Sequence, residues 1–134
     1  MSDWEDQKKD FVTAVQSLAI ASTSAAATGF TDVAEASANV NYVITNQFNF
    51  YILQAPPTKE IPDHDINNLE ERVRALEAQI RNVNVPSTES FRCQQDFEAC
   101  VRNATSKVQK ANCLMSYAAC LSNLFVKFTV DIKL

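Results

Sequence analysis

Residues 65–83 read DINNLEERVRALEAQIRNV. Apolar side chains fall at Ile66, Leu69, Val73, Leu76, Ile80 and Val83, in alternating steps of three and four. This spacing is a heptad seam, with Ile66, Val73 and Ile80 at a and Leu69, Leu76 and Val83 at d. It is narrower than the apolar face of an ordinary globular helix. Such a stripe calls for another helix with a matching stripe, and a second copy of the chain is the simplest source. The competing reading is an amphipathic helix packed within its own monomer.

β-Branched residues at a with Leu at d favour parallel dimers when taken alone. Within the seam, residues 72–77 read RVRALE. This segment resembles the trimerisation signature Arg-h-x-x-h-Glu of short parallel coiled coils found in many fibrous proteins. The resemblance implies a parallel homotrimer, with a dimer or a higher assembly as the alternatives. Arg72 at g and Glu77 at the following e would face each other across the interface, the Arg stem covering the apolar seam. Glu70 is also spaced to pair with Arg74 on its own helix. Fewer than three full heptads make a marginal isolated coiled coil. The flanking segments are therefore expected to share in the association.

The chain has 134 residues, enough for one domain or two small modules. Its hydrophobic content of 46% and charged content of 21% exclude a wholly disordered chain. A net charge of −4 provides no basic footprint for nucleic acid. No apolar run is long enough to span a bilayer. The first ten residues, MSDWEDQKKD, mix both charges and lack the apolar core of a signal peptide. A cytoplasmic or virion-type location is the default expectation. Export without a cleaved leader is the alternative. Gly29 is the only glycine, which argues against a multi-stranded fold built on tight hairpins. The fold class expected is therefore mainly α.

Residues 1–54 read as an Ala-rich helical hairpin. Asp3 is a candidate cap, and Glu5 and Asp6 lie where the helix dipole favours acids. Phe11, Val15, Leu18 and Ala25 form its apolar stripe, flanked by Val12 and Ala19 and interrupted by Ser22. Gly29 stands at a helix C-terminus, with Phe30 placed for the accompanying apolar contact. Thr31 or Asp32 starts the second helix, with Val33, Ala36, Val40, Ile44, Gln47 and Tyr51 on one side. Residues 41–53 also alternate in the manner of a strand, so helix and strand compete there. Residues 55–63 form a Pro-rich linker, and residues 64–85 the oligomerisation helix, capped by Asp63 or Asp65. Residues 125–134 alternate apolar and polar side chains from Val126 to Leu134, which predicts a half-buried strand. Such a strand would need a partner, inside the chain or on another protein.

Cys93, Cys100, Cys113 and Cys120 form two pairs, each with six intervening residues. A seven-residue step returns to the same helix face but moves about 10.5 Å along the axis. Bridged Cα atoms must lie within about 7 Å, so neither pair can close within one helix. Folding residues 87–124 at Ser106 sets Cys93 opposite Cys120 and Cys100 opposite Cys113 in one antiparallel register. Phe97, Val101, Ala104, Leu114, Tyr117, Leu121 and Leu124 join the same faces, and Ser87 or Thr88 can cap the first helix. The segment resembles the twin Cys-x(n)-Cys helical hairpins of the coiled-coil-helix–coiled-coil-helix family, although its spacing of six differs from the family's usual ones. The resemblance implies a redox-dependent accessory subunit or assembly factor, with residence in the mitochondrial intermembrane space. Free core thiols, a four-thiolate metal site and bonds between chains are the alternatives.

His64 lies alone among polar residues, and Asn103-Ala104-Thr105 matches the N-glycosylation acceptor. Neither forms part of a catalytic set. No cofactor and no metal are expected. The sequence thus reads as a non-enzymatic structural protein that self-associates through residues 65–83 within a fibre, virion or multisubunit complex, beside other protein subunits. The alternatives are the redox-dependent accessory subunit and a small-molecule carrier using the groove of the Ala-rich hairpin.

Overall fold

The computed structural model describes residues 2–49, 61–83 and 85–130. Five α-helices follow one another: α1 (Ser2–Ala27), α2 (Thr31–Val43), α3 (Asp63–Arg81), α4 (Ser87–Asn103) and α5 (Lys107–Phe125). Wider π-type turns extend α2 over Ile44–Phe48 and α5 over Val126–Val130. The protein is mainly α, with no strand among the described residues.

Four of the helices form a bundle in which α1, α2, α3 and α5 pack as a ring in that order. Contacts along the ring fix their directions. α1 and α2 are joined by a three-residue link, and the Ser22 hydroxyl donates to the Ala34 carbonyl at 3.2 Å, which makes them antiparallel. Asn68 near the start of α3 donates to Gln47 at the end of α2, 3.2 Å away. Lys107 pairs with Asp63 at 3.0 Å and Lys110 with Glu70 at 3.6 Å, so α5 runs parallel to α3. Asn112 donates to Asp10 at 2.9 Å, and Phe30 meets Phe125 edge-on at 5.4 Å, so α5 also runs parallel to α1. Three helices therefore point one way and α2 the other. α4 lies outside the ring, antiparallel to α5.

One continuous apolar core results. α1 contributes Phe11, Ala14, Leu18, Ala21 and Ala25, all buried. The buried stripe is thus turned by part of a step from the expected one: Ala14 and Ala21 face inward, while Val12 is 46% exposed. Small residues at this face let α2 approach, and Val33, Ala36, Val40 and Ile44 fill the space. This leaves the α1–α2 interface packed. Ile61, just before α3, is fully buried and anchors the end of the linker.

The α1–α2 corner forms as the sequence predicts. Gly29 adopts φ +87°, and the Phe30 N–H donates to the Ala25 carbonyl at 2.8 Å, the six-to-one bond of a Schellman cap. α2 starts at Thr31, as expected, and the expected side-chain caps of α3 and α4 do not form. Pro62 and Pro86 hold those two N-cap positions, with no side-chain cap bond. Asp63 and Asp65 lie instead in the first turn of α3, where they meet the positive end of its dipole.

Two readings of the sequence were ambiguous or wrong here. Residues 41–49 are helical rather than extended; 50–53 lie outside the described residues. The expected C-terminal strand is not formed over Val126–Val130, where the chain continues as helical turns; 131–134 lie outside the described residues. A lone strand has no ladder for its N–H and C=O groups, whereas a helix satisfies them internally. The helical path also puts Phe125 and Thr129, one turn apart, on the buried side.

Gly29→Ala tests the corner. A Cβ there meets nothing within 4 Å, so the cost is conformational alone. The variant should lose roughly 1–2 kcal/mol of stability by denaturant titration, with an unchanged helix content.

Candidate functional site

The most built-up region is the α4–α5 hairpin and the patch of α3 beneath it. α4 stops at Asn103, and Ala104 turns the chain into extended backbone. The Ser106 hydroxyl then accepts from the Gln109 N–H at 3.2 Å, starting α5. Gln109 reaches back in turn: its Oε1 accepts from the Thr105 N–H at 2.6 Å and the Thr105 hydroxyl at 2.9 Å. This reciprocal cap fixes the turn and hence the register of the two helices.

In that register Cys93 bonds Cys120 and Cys100 bonds Cys113, with Cα separations of 5.9 and 5.7 Å. The pairing is the one the spacing predicts. Cys93 and Cys113 are buried, while Cys100 and Cys120 are half-buried. The asymmetry between the helices is large. α5 buries ten side chains, whereas α4 buries only Cys93 and Phe97. α4 is thus held to the bundle chiefly by its two covalent staples and one aromatic ring.

That ring joins a polar cluster. Phe97 stacks on Tyr117 of α5, with centroids 4.7 Å apart. The Arg74 guanidinium of α3 lies 5.2 Å from the Phe97 centroid. The Tyr117 hydroxyl donates to Oε2 of Glu77, which also takes Arg74 at 3.1 Å and Arg81 at 3.8 Å. Glu77 is only 9% exposed, so its charge is compensated by two guanidiniums and a phenol rather than by water. Burial pushes the Tyr117 hydroxyl well above the usual phenol range, and the adjacent Glu77 carboxylate raises it further by hydrogen bond and by charge. The phenol therefore stays protonated at neutral pH and serves as a donor that fixes α3 against α5. A cavity of about 150 Å³ lies beside it, lined by both disulfides, Phe97 and Tyr117.

The heptad residues take a different place from the interface expected of them. Ile66, Leu69, Val73, Leu76 and Ile80 are at most 3% exposed, buried by α2 and α5 of the same chain. Val83 is half-buried against that core. The a/d stripe of a coiled coil is also the core stripe of a helix bundle, so the chain itself supplies the helices that the seam requires. Arg72 is exposed, and Glu77 turns inward to Tyr117 instead of facing Arg72. The Arg74–Glu70 pair on α3 does form, at 3.9 Å.

The remaining candidates stay apart. His64 is exposed in the first turn of α3, and no group of three potential metal ligands occurs among the described residues. Asn103 is exposed at the hairpin tip. A groove of about 470 Å³ between α3, α4 and the start of α5 has Phe97 and Val101 in its wall, with both acids and bases around them. Among the described residues, no helix is long and apolar enough to cross a membrane. Comparison with family models, with curated proteins and with solved structures finds no match for this chain.

Sequence reasoning had placed Phe97 and Tyr117 on the hairpin's inner faces but missed the Tyr117–Glu77 contact. The two residues are 40 positions apart, and nothing local links them.

Reduction of the protein by excess dithiol should lower its stability by roughly 2–5 kcal/mol. Hydrogen exchange should rise first in α4, while α1, α3 and α5 retain more protection. Tyr117→Phe should cost about 1.5–3 kcal/mol at pH 7, the value of a hydrogen bond to a charged group. Because folding raises the Tyr117 pKa, its contribution is complete below the unfolded value of about 10 and declines as pH rises beyond it. The stability gap between wild type and Tyr117→Phe should therefore shrink in titrations above pH 10.

Proposed function

We propose that this chain is a non-enzymatic structural protein, a disulfide-stapled helical bundle that self-associates and takes a place in a larger protein assembly such as a fibre, virion or multisubunit complex. The supporting observation is how the molecule spends its polar and reactive groups. All four cysteines are bonded, and the buried Glu77 and Tyr117 are engaged with each other and with the exposed Arg74 guanidinium. These groups hold helices together. Meanwhile Val12, Ile20, Tyr42 and Phe91 remain 46–66% exposed, a supply of apolar surface for protein contacts.

Association through the 65–83 seam as a parallel trimer would require α3 to exchange its own neighbours for those of other copies. The geometry favours keeping the seam as core and placing contacts between molecules on outer faces. Sedimentation equilibrium of three proteins separates these routes. The wild type should show a native mass that is a multiple of 14.9 kDa. Leu76→Ala should lose roughly 2–5 kcal/mol of stability without a change in that mass. Arg72→Ala, on an exposed position, should change neither. A fall in mass on losing Arg72 would return the interface to the seam, and a wild type that stays monomeric at high concentration would remove self-association altogether.

A second reading, the redox-dependent accessory subunit, is favoured by one observation: α4 buries only two side chains and relies on its staples. Disulfides persist in oxidising compartments, so this reading implies residence in one.

A further inference from the structure

The outer face of α1 has a pattern that the bundle does not use. A fifth of the chain is charged, yet residues 11–31 contain no charged side chain at all. Phe11, Ala14, Leu18, Ala21 and Ala25 account for the buried side. The opposite side carries Val12, Gln16, Ala19, Ile20, Thr23 and Ala27, all exposed. Val12 is 46% and Ile20 56% exposed. The strip runs about 22 Å along the helix at 1.5 Å per residue. Water-facing helix surfaces ordinarily carry charge, and this one has apolar knobs at one end, Val12, and near its middle, Ile20, with small or neutral residues elsewhere.

We propose that this face binds a second copy of the chain, α1 against α1 in antiparallel fashion, about a two-fold axis at Gln16. The inference rests on the self-association proposed above and names where it occurs. A two-fold interface must be self-complementary, each residue meeting a fixed counterpart and the reverse. The spacing meets that condition. Val12 and Ile20 are equidistant from Gln16, so Val12 of each copy meets Ile20 of the other. Ala19 and Thr23 are small enough to let the helix axes approach.

Charge at the ends fits as well. The last turn of α1 has no basic residue to meet the negative end of its dipole. In the antiparallel pair, the exposed Lys9 of the partner arrives beside Thr23, within reach of those terminal carbonyls. Glu5, which arrives near Ala27, is paired with Lys8 at 3.2 Å and so brings little net charge. The central strip is neutral and needs no partner of opposite sign. A second α1 therefore supplies both the apolar knobs and the cation that this face lacks.

The test uses the full chain with its disulfides intact. By sedimentation equilibrium the wild type should be a reversible dimer. Ile20→Glu buries an unpaired carboxylate against Val12 and should weaken dimerisation roughly tenfold or more. Its helix content should not change, because Ile20 is outside the core. Combining Val12→Lys with Ile20→Glu places opposite charges across the interface and should recover dimer relative to Ile20→Glu alone. Gln16→Cys would carry the sole free thiol among the described residues, since none of their native cysteines is free. A short bismaleimide should link it to its own counterpart, whereas Glu98→Cys on exposed α4 should not link. An oligomer whose mass Ile20→Glu leaves unchanged, without a Gln16→Cys crosslink, would place the contact elsewhere and overturn this inference while self-association stands. A strictly monomeric wild type would overturn both.

Discussion

Burial of the α3 seam is the constraint on which the rest of this molecule depends. Five apolar side chains in steps of three and four cannot be left in water without cost, at roughly 1.5–3 kcal/mol for each fully buried one. The chain resolves this by wrapping α2 on one side of α3 and α5 on the other. Once α3 is central, its charged flank faces α5 as well. Glu77 then finds Tyr117, Glu70 finds Lys110, and Asp63 finds Lys107. Each contact lies further along both helices in the same direction, so the polar rungs reinforce the parallel register that the apolar packing requires. α1 closes the ring between α2 and α5, and its small residues suit the two close interfaces it must make.

The disulfides act on a different part of the problem. The ring would hold α5 by packing alone, given its ten buried side chains. α4 has no such claim on the core. Cross-linking constrains the unfolded chain and also closes the hairpin at two levels, so α4 is retained at a place where apolar burial is slight. Phe97 adds a buried anchor that reaches past α5 to α3, through Arg74, and Gln94 accepts a second, exposed contact from Arg81. Stability is therefore uneven along the chain: high in the ring and conditional in α4.

Much of this was legible in the sequence, and the failures have physical causes. The cysteine spacing predicted its own pairing because disulfide geometry is strict and one antiparallel register satisfies both bonds. Gly29 marked the corner because only a residue without Cβ takes a positive φ cheaply. The seam of residues 65–83 was read correctly as a stripe in need of helices, but periodicity does not say whose helices they are. A short a/d pattern serves a bundle and a coiled coil equally. The C-terminal alternation from Val126 misled because two-residue periodicity decides strand only where a partner ladder exists; over Val126–Val130 the backbone satisfies its own groups by continuing as helical turns. The Glu77–Tyr117 contact had no sequence signal, since it follows from the packing of α3 on α5 and not from anything local to either residue.

Using α3 as core has a consequence for the surface. A helix whose large apolar side chains are spent inside presents mainly polar ones, and on α3 these are Glu71, Arg72 and Arg74, beside the small Ala75 and Ala78. α1 is the reverse case. Between and beyond Phe11 and Leu18 its buried stripe is filled by alanines, which pack closely, while two of its larger apolar residues, Val12 and Ile20, point outward. Had the helix turned by part of a step, Val15 would have faced inward with Val12 and Ala19 on its flank, as the sequence pattern alone expects, but the bulkier stripe would have held the neighbouring helices further off. Close packing of α1 within the ring and an apolar outer face on α1 are thus two results of one choice. The interior takes Phe11, Leu18 and the alanines between and beyond them, and the exterior is left with Val12 and Ile20.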